Sequence, residues 1–260
     1  MALGRAVWLV PVALACHKAP DSAPASLDEA LLDVMRAHDQ GNIDAEASTL
    51  RELVLSSFNL DESSPHDRAL TPTALSTADI EDFEHPDLDP SVCIGVMVAR
   101  RSEFDLSDHA MVQLLADQTP VEPYSPDKYD REFLEGEDCW ESKDCADLRT
   151  DNDLIKDNLL MTLPYQFYKD FRWFDDDNGG GIIAWPWVPE SAYSESGNSG
   201  ILQSYGVEIW FPEDGGTVRA LAVWADTKLS VSASDDLVAA TTVSGIERNF
   251  EAVDEYLAEQ

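Results

Sequence analysis

Rings and polar residues alternate on either side of one acidic, glycine-rich turn, and this pattern does most to constrain how the chain can fold. Residues Leu163 to Pro189, "LPYQFYKDFRWFDDDNGGGIIAWPWVP", hold eight of the chain's 23 aromatic side chains. Successive side chains of a strand point to opposite faces. Phe171 and Trp173 therefore share one face of a strand "YKDFRWF", and Trp185 and Trp187 share one face of a strand "GIIAWPWV". "DDDNGG" between them has the composition of a hairpin turn. Pro186 removes a backbone donor, which predicts an edge strand or a bulge. "NLLMTLPYQF" before it reads as a further strand, broken near Pro164. A second hairpin is predicted where "SYGVEIWF" and "TVRALAVWADTKL" flank "PEDGG", with Trp210 and Trp224 on its two arms. The chain then closes with "DDLVAATTVSGIERNFEAVDEYLAE". Asp235 is a candidate cap there, and Ile246, Phe250, Val253 and Leu257 recur at helical spacing. Gly245 marks a bend or a close contact in that helix. An antiparallel sheet followed by a long amphipathic helix predicts an α+β fold, with the helix covering one face of the sheet.

Two helices are expected earlier. In "SLDEALLDVMRAHDQGN", Ser26 and Glu29 have capping-box spacing, and Leu27, Leu31, Val34, Met35 and His38 follow along one face. "DAEASTLRELVLSSF" presents Leu50, Leu53, Val54 and Phe58 in the same manner. The expected organisation is a signal peptide over 1–15, a tether over 16–26, a helical hairpin over 27–60, a loop-rich connector over 61–90 and one α+β domain over 91–260. Within that domain, "VCIGVMVARR" reads as a strand, "LSDHAMVQLLADQ" as a short helix, and the proline-rich "TPVEPYSPDKYD" as irregular.

The first residues, "MALGRAVWLVPVALAC", combine one Arg with an apolar run too short to span a bilayer. Ala13-Leu14-Ala15-Cys16 resembles a bacterial lipobox, with Ala13 where Leu is usual. Ala13-x-Ala15 also suits an ordinary signal peptidase. The expectation is an exported lipoprotein, anchored in a membrane through a lipidated Cys16 and facing the periplasm or cell exterior. "HKAPDSAPAS" would serve as its tether.

The formal charge of −34 and the absence of a basic stripe argue against nucleic acid as a partner. "CWESKDC" predicts a local Cys139–Cys145 disulfide, as suits an oxidising compartment, and leaves Cys93 as a small apolar residue in a strand. Neither the cysteines nor the scattered histidines have metal-site spacing, so no metal is expected. "DDDNGG" lacks the Glu of a calcium loop, since the twelfth position counted from Asp175 is Pro186. No nucleophile elbow, zinc-protease, P-loop or dinucleotide motif is present, so neither catalysis nor a cofactor is expected.

The order of these elements resembles the START-related helix-grip (SRPBCC-like) domains. "LMTLPYQFYKDFRWFDDDNGG" offers Leu163-Pro164 and Lys169-Asp170-Phe171 where that family often has a Leu-Pro element and Arg-Asp-Phe. "VWADTKLSVSASDDLV" supplies Asp226 before the last helix but lacks the family's Gly and Pro. The resemblance covers about residues 91–260. It implies a cavity between sheet and helix and a non-catalytic domain that binds a lipid or another hydrophobic ligand. The candidate lining is Phe171, Trp173, Trp185, Trp187, Trp210 and Trp224. The competing expectation is a structural or protein-interaction lipoprotein of the cell envelope, in which the same rings fill a core. Arg172, between the rings, is expected either in the cavity or paired with one of the many acids.

Overall fold

The computed structural model describes residues 20–62, 64–157, 162–230 and 232–260. Cys16 and the proposed signal peptide lie outside the described residues. In chain order the elements are β1 (Asp21–Ser22), α1 (Ala25–Arg36), α2 (Asp44–Ser57), β2 (Ala69–Thr71), β3 (Ile94–Ser102), α3 (Leu106–Val112) and β4 (Tyr129–Glu135). They continue as β5 (Asp147–Asp157), β6 (Thr162–Phe174), β7 (Gly181–Trp187), β8 (Ala192–Tyr193), β9 (Gly200–Glu213), β10 (Gly216–Lys228) and α4 (Asp235–Leu257).

All strands join one sheet in the order β1-β2-β3-β10-β9-β7-β6-β5-β4, with β8 paired to β9 outside this path. Every pairing is antiparallel except β1 with β2. The architecture is thus α+β: a mostly antiparallel sheet with two N-terminal helices and a long C-terminal helix, in a helix-grip-like arrangement.

Both predicted hairpins form. Glu213 pairs with Gly216 across Asp214 and Gly215, whose φ values are 49° and 81°. Positive φ at both central residues is the turn that matches strand twist, and Asp-Gly is a favoured pair for it. β6 meets β7 across the acidic turn, where Asp176 accepts from the amides of Asn178 and Gly180. Arg51 of α2 closes on the same carboxylate at 3.1 Å, so an arginine balances the charge of this turn.

Two proline expectations need correction. β6 runs unbroken through Pro164, which pairs with Ile155 at a stretch where β5 is its partner and β7 has not yet joined. Pro186 lies in a central strand, between β6 and β9. It fits there because residue 206 is glycine: a Cβ on Gly206 would come within 2.8 Å of Pro186 Cγ.

The helical hairpin is not set apart from the sheet. α1 and α2 bury Leu27, Leu31, Val34, Met35, Leu50 and Val54 in one core with Trp185, Tyr205, Val207, Ile209, Phe211 and Trp224 on the outer face of the sheet. The stretch 61–90 contributes β2, and 21–22 contributes β1, so the sheet extends beyond residues 91–260. On the opposite face, α4 lays Ala239, Val243, Ile246 and Phe250 against Val96 and Val98 of β3. That contact holds the helix over one side of the sheet and leaves space beneath it.

Candidate functional site: a cavity between sheet and C-terminal helix

Strand pairing decides which rings meet. β7, β9 and β10 alternate faces, and their register places Trp185 and Trp224 with the N-terminal helices. Both are buried, and both indole N–H groups are satisfied there: Trp185 donates to the Val34 carbonyl at 3.1 Å and Trp224 to the Thr73 carbonyl at 2.8 Å. Trp187 packs in the same core, against Phe83 and Tyr168, and also reaches the cavity wall. Phe171, Trp173 and Trp210 belong to the inner face, with Trp140 and Leu148. Trp173 packs on the Trp140 ring and donates to its carbonyl at 3.2 Å. Of the six candidate rings, then, Trp187 and Trp210 line the cavity, and Phe171 lies under its charged floor. Arg172 takes the second of its expected places: its Nε donates to Asp147, and the guanidinium lies over Trp185 on the outer face.

The cavity encloses about 380 Å³ between β6, β7, β9, β10 and α4. This falls within the size range of small-molecule sites. Its apolar wall includes Phe167, Leu221, Val223, Val238, Ile246 and Phe250. Gly245 of α4 faces it, and a Cβ added there would find its nearest neighbour, Tyr124 Cε2, at 4.0 Å. The glycine therefore marks open space beside the helix.

The floor is charged. Lys169 from β6, Glu208 from β9 and Arg219 from β10 converge with Arg131 from β4. Lys169 Nζ is 2.7 Å from Glu208 Oε2, and Arg219 Nη2 is 4.0 Å from Glu208 Oε1. The ammonium also sits over the rings of Phe171 and Trp210, at 4.8 and 5.1 Å from their centroids. Burial pushes the Lys169 ammonium below its ordinary pKa, and Arg131 and Arg219 add to this; Glu208 opposes it. Burial also lowers both arginines. Tyr129 and Tyr165, on the same wall, are raised by burial, so both phenols stay protonated.

The sequence did not nominate these charged residues. Strand alternation sets Lys169 on the face of Phe171 and Trp173, but that face is read for its rings and not for its charge. Only the pairing of the sheet brings Glu208, Arg219 and Arg131 from other strands to meet it.

A second buried polar group invites comparison with catalytic triads. Ser102 Oγ donates to Asp254 Oδ1 at 2.8 Å, and His109 Nε2 lies 3.0 Å from Ser102 Oγ. The serine proton is directed to the carboxylate, so the imidazole Nε2–H must donate to Ser102. An imidazole in that tautomer is not poised to take the serine proton. Elsewhere Cys139 and Cys145 are joined as a disulfide, and Cys93 is buried, its thiol pushed by desolvation up to about 12. Among the described residues no group of three His, Cys, Asp or Glu side chains is placed to hold a metal ion, and no helix is long and apolar enough to cross a membrane.

No family model matches the chain, and no curated protein matches it. Among solved structures it is similar to a STAR-related lipid transfer protein from Xanthomonas axonopodis, with 15% identity over 63% of this chain and 85% of that one and a TM-score of 0.43. A protein from Thermus thermophilus matches at 16% identity over 64% and 97% of the two chains, with a TM-score of 0.40. Ara h 8.0201 matches at 12% identity over 65% and 99%, with a TM-score of 0.37. These are likenesses in the arrangement of sheet and helix, and none of them assigns a ligand to this chain.

Proposed function

We propose that this protein is a non-catalytic binder of an apolar, lipid-like ligand, exported and held at a membrane by a lipidated Cys16. The observation that carries the reading is the 380 Å³ space between the sheet and α4, walled mainly by aliphatic and aromatic side chains. A space that size lined by such groups gains by burying apolar ligand surface, at roughly 25 cal/mol per Å² before the costs of association. The outer face of the sheet already holds a filled core, so packing of the fold does not depend on filling the inner space as well. The lipobox-like Ala13-Leu14-Ala15-Cys16 and the tether after it support export and anchoring.

Native mass spectrometry of the full chain with Cys16→Ser tests the ligand. The wild-type cavity should carry an apolar adduct or take one up from a lipid extract. Gly245→Phe should fill the space from the helix side, and the folded variant should stay free of adduct. A clean mass for both proteins after exposure to the extract would replace this reading with that of a structural or protein-interaction lipoprotein.

A further inference from the structure

The charge of the cavity runs against the charge of the chain. The protein has 51 acidic and 17 basic residues, yet the cavity wall sets Arg131, Lys156, Lys169 and Arg219 against Glu122 and Glu208. Glu122 accepts from Asn249 at 2.7 Å, and Lys156 lies beside the Tyr124 ring. At the floor, three cations face the single carboxylate of Glu208. Arg131 is held by neutral acceptors: its Nε donates to Asn152 Oδ1 at 2.8 Å and its Nη1 to the Gln113 carbonyl at 2.7 Å. Arg219 is less well served. Its Nη1 reaches the Phe250 carbonyl at 3.4 Å, and its buried Nε has no hydrogen-bond partner among the described residues. The α4 carboxylates that also act on Arg219 are engaged elsewhere, Glu247 by Arg68 and Arg100, and Asp254 by Ser102 and Arg100. The indole N–H groups of Trp187 and Trp210, both on the wall, are buried without acceptors among the described residues, in contrast to those of Trp185 and Trp224.

Buried charge is costly unless it is paired. A wholly apolar ligand would displace solvent from these cations and put nothing in its place. An acidic head would supply a charge-assisted hydrogen bond at the same position. We propose that the ligand is an amphipathic monoanion of the fatty-acid type, its head seated against Lys169, Arg131 and Arg219 and its apolar body under α4. This assignment rests on the cavity being a ligand site.

Three probes with one tail and different heads separate the two ideas: dodecanoate, dodecan-1-ol and dodecylammonium, titrated calorimetrically into the full chain below their aggregation concentrations. Dodecanoate should bind about ten-fold or more tightly than dodecan-1-ol, as hydrogen bonds to charged groups predict, and dodecylammonium should bind weakest. Arg219→Gln should narrow the preference for the acid, weakening dodecanoate several-fold more than dodecan-1-ol, and Arg219→Lys should keep it. Glu208→Gln removes the competing carboxylate and should widen the preference, so the two neutralising variants move in opposite directions. If acid and alcohol bind equally in the wild type, the acidic head is wrong and the cavity stands. If no probe binds, the ligand site itself is wrong and this assignment falls with it.

Discussion

His109 is buried with its Nδ1 unpartnered among the described residues, and burial together with the nearby Arg219 lowers its pKa from 6.5 to about 2. The unfolded chain takes up a proton below pH 6.5 that the folded chain refuses. Stability from this residue is therefore present above the unfolded value and is lost as pH falls, by about 1.4 kcal/mol per unit. Between pH 7 and pH 5 the wild type should lose about 2 kcal/mol more than His109→Gln, which keeps a donor for Ser102. Urea unfolding of both proteins at the two pH values measures the difference, and parallel curves would refute it. Glu247 and Asp254, whose pKa values are raised mainly by burial, titrate in both proteins and cancel in the comparison. At this scale the sequence was legible for the rings as buried groups and silent on their partners. Trp185 and Trp187 were correctly placed on one face of β7, but nothing local says that this face meets α1.

The β4–β5 hairpin shows why an element can be missed. Its inward positions include Arg131, Thr150 and Asn152, all buried, while its outward positions carry acids. Apolar–polar alternation, the usual sign of a half-buried strand, is absent because this strand pair walls the polar end of the cavity. Asn152 bridges that wall, accepting from Arg131 Nε and donating to Thr150 Oγ1. The same hairpin is closed by the Cys139–Cys145 disulfide, six residues apart. Loop-closure entropy for so short a loop predicts that replacing both cysteines by serine costs about 2 kcal/mol. A chemical-denaturation midpoint checks this, and an unchanged midpoint would mean that the loop is already ordered in the unfolded chain. α4 was legible as an element because its apolar residues repeat at helical spacing. Its Gly245 also offers a test: Gly245→Ala should stabilise the helix by roughly 0.5–1 kcal/mol, since the position has room for a methyl group.

Across the whole molecule a net charge of −34 sets the electrostatics. Self-repulsion opposes the compact state and is screened by salt, with a Debye length near 30 Å at 0.01 M and about 3 Å at 1 M. The melting temperature should rise steadily with sodium chloride over that range. A melting temperature that fell with salt would show that exposed ion pairs such as Arg248–Glu255 and Lys128–Asp153, which salt does screen, outweigh the repulsion. The Arg51–Asp176 and Lys169–Glu208 pairs are buried and little screened, so they contribute little to the salt response.

By itself the sequence determined part of the architecture: two hairpins with glycine-rich acidic turns, a closing amphipathic helix, a helical pair before them and a local disulfide. These depend on residues close together in the chain, on periodicity, turn chemistry and loop length. Tertiary structure alone decided that the helical pair packs on the outer face of the sheet, that Trp185 and Trp224 join that packed core, and that Trp187 and Trp210 reach the cavity. It also decided that Arg131, Lys169, Glu208 and Arg219 meet at one floor. Those four residues come from four strands, and only the register of the sheet brings them to a common face. No pattern within a single strand encodes that register, because it is set by the packing of both faces at once.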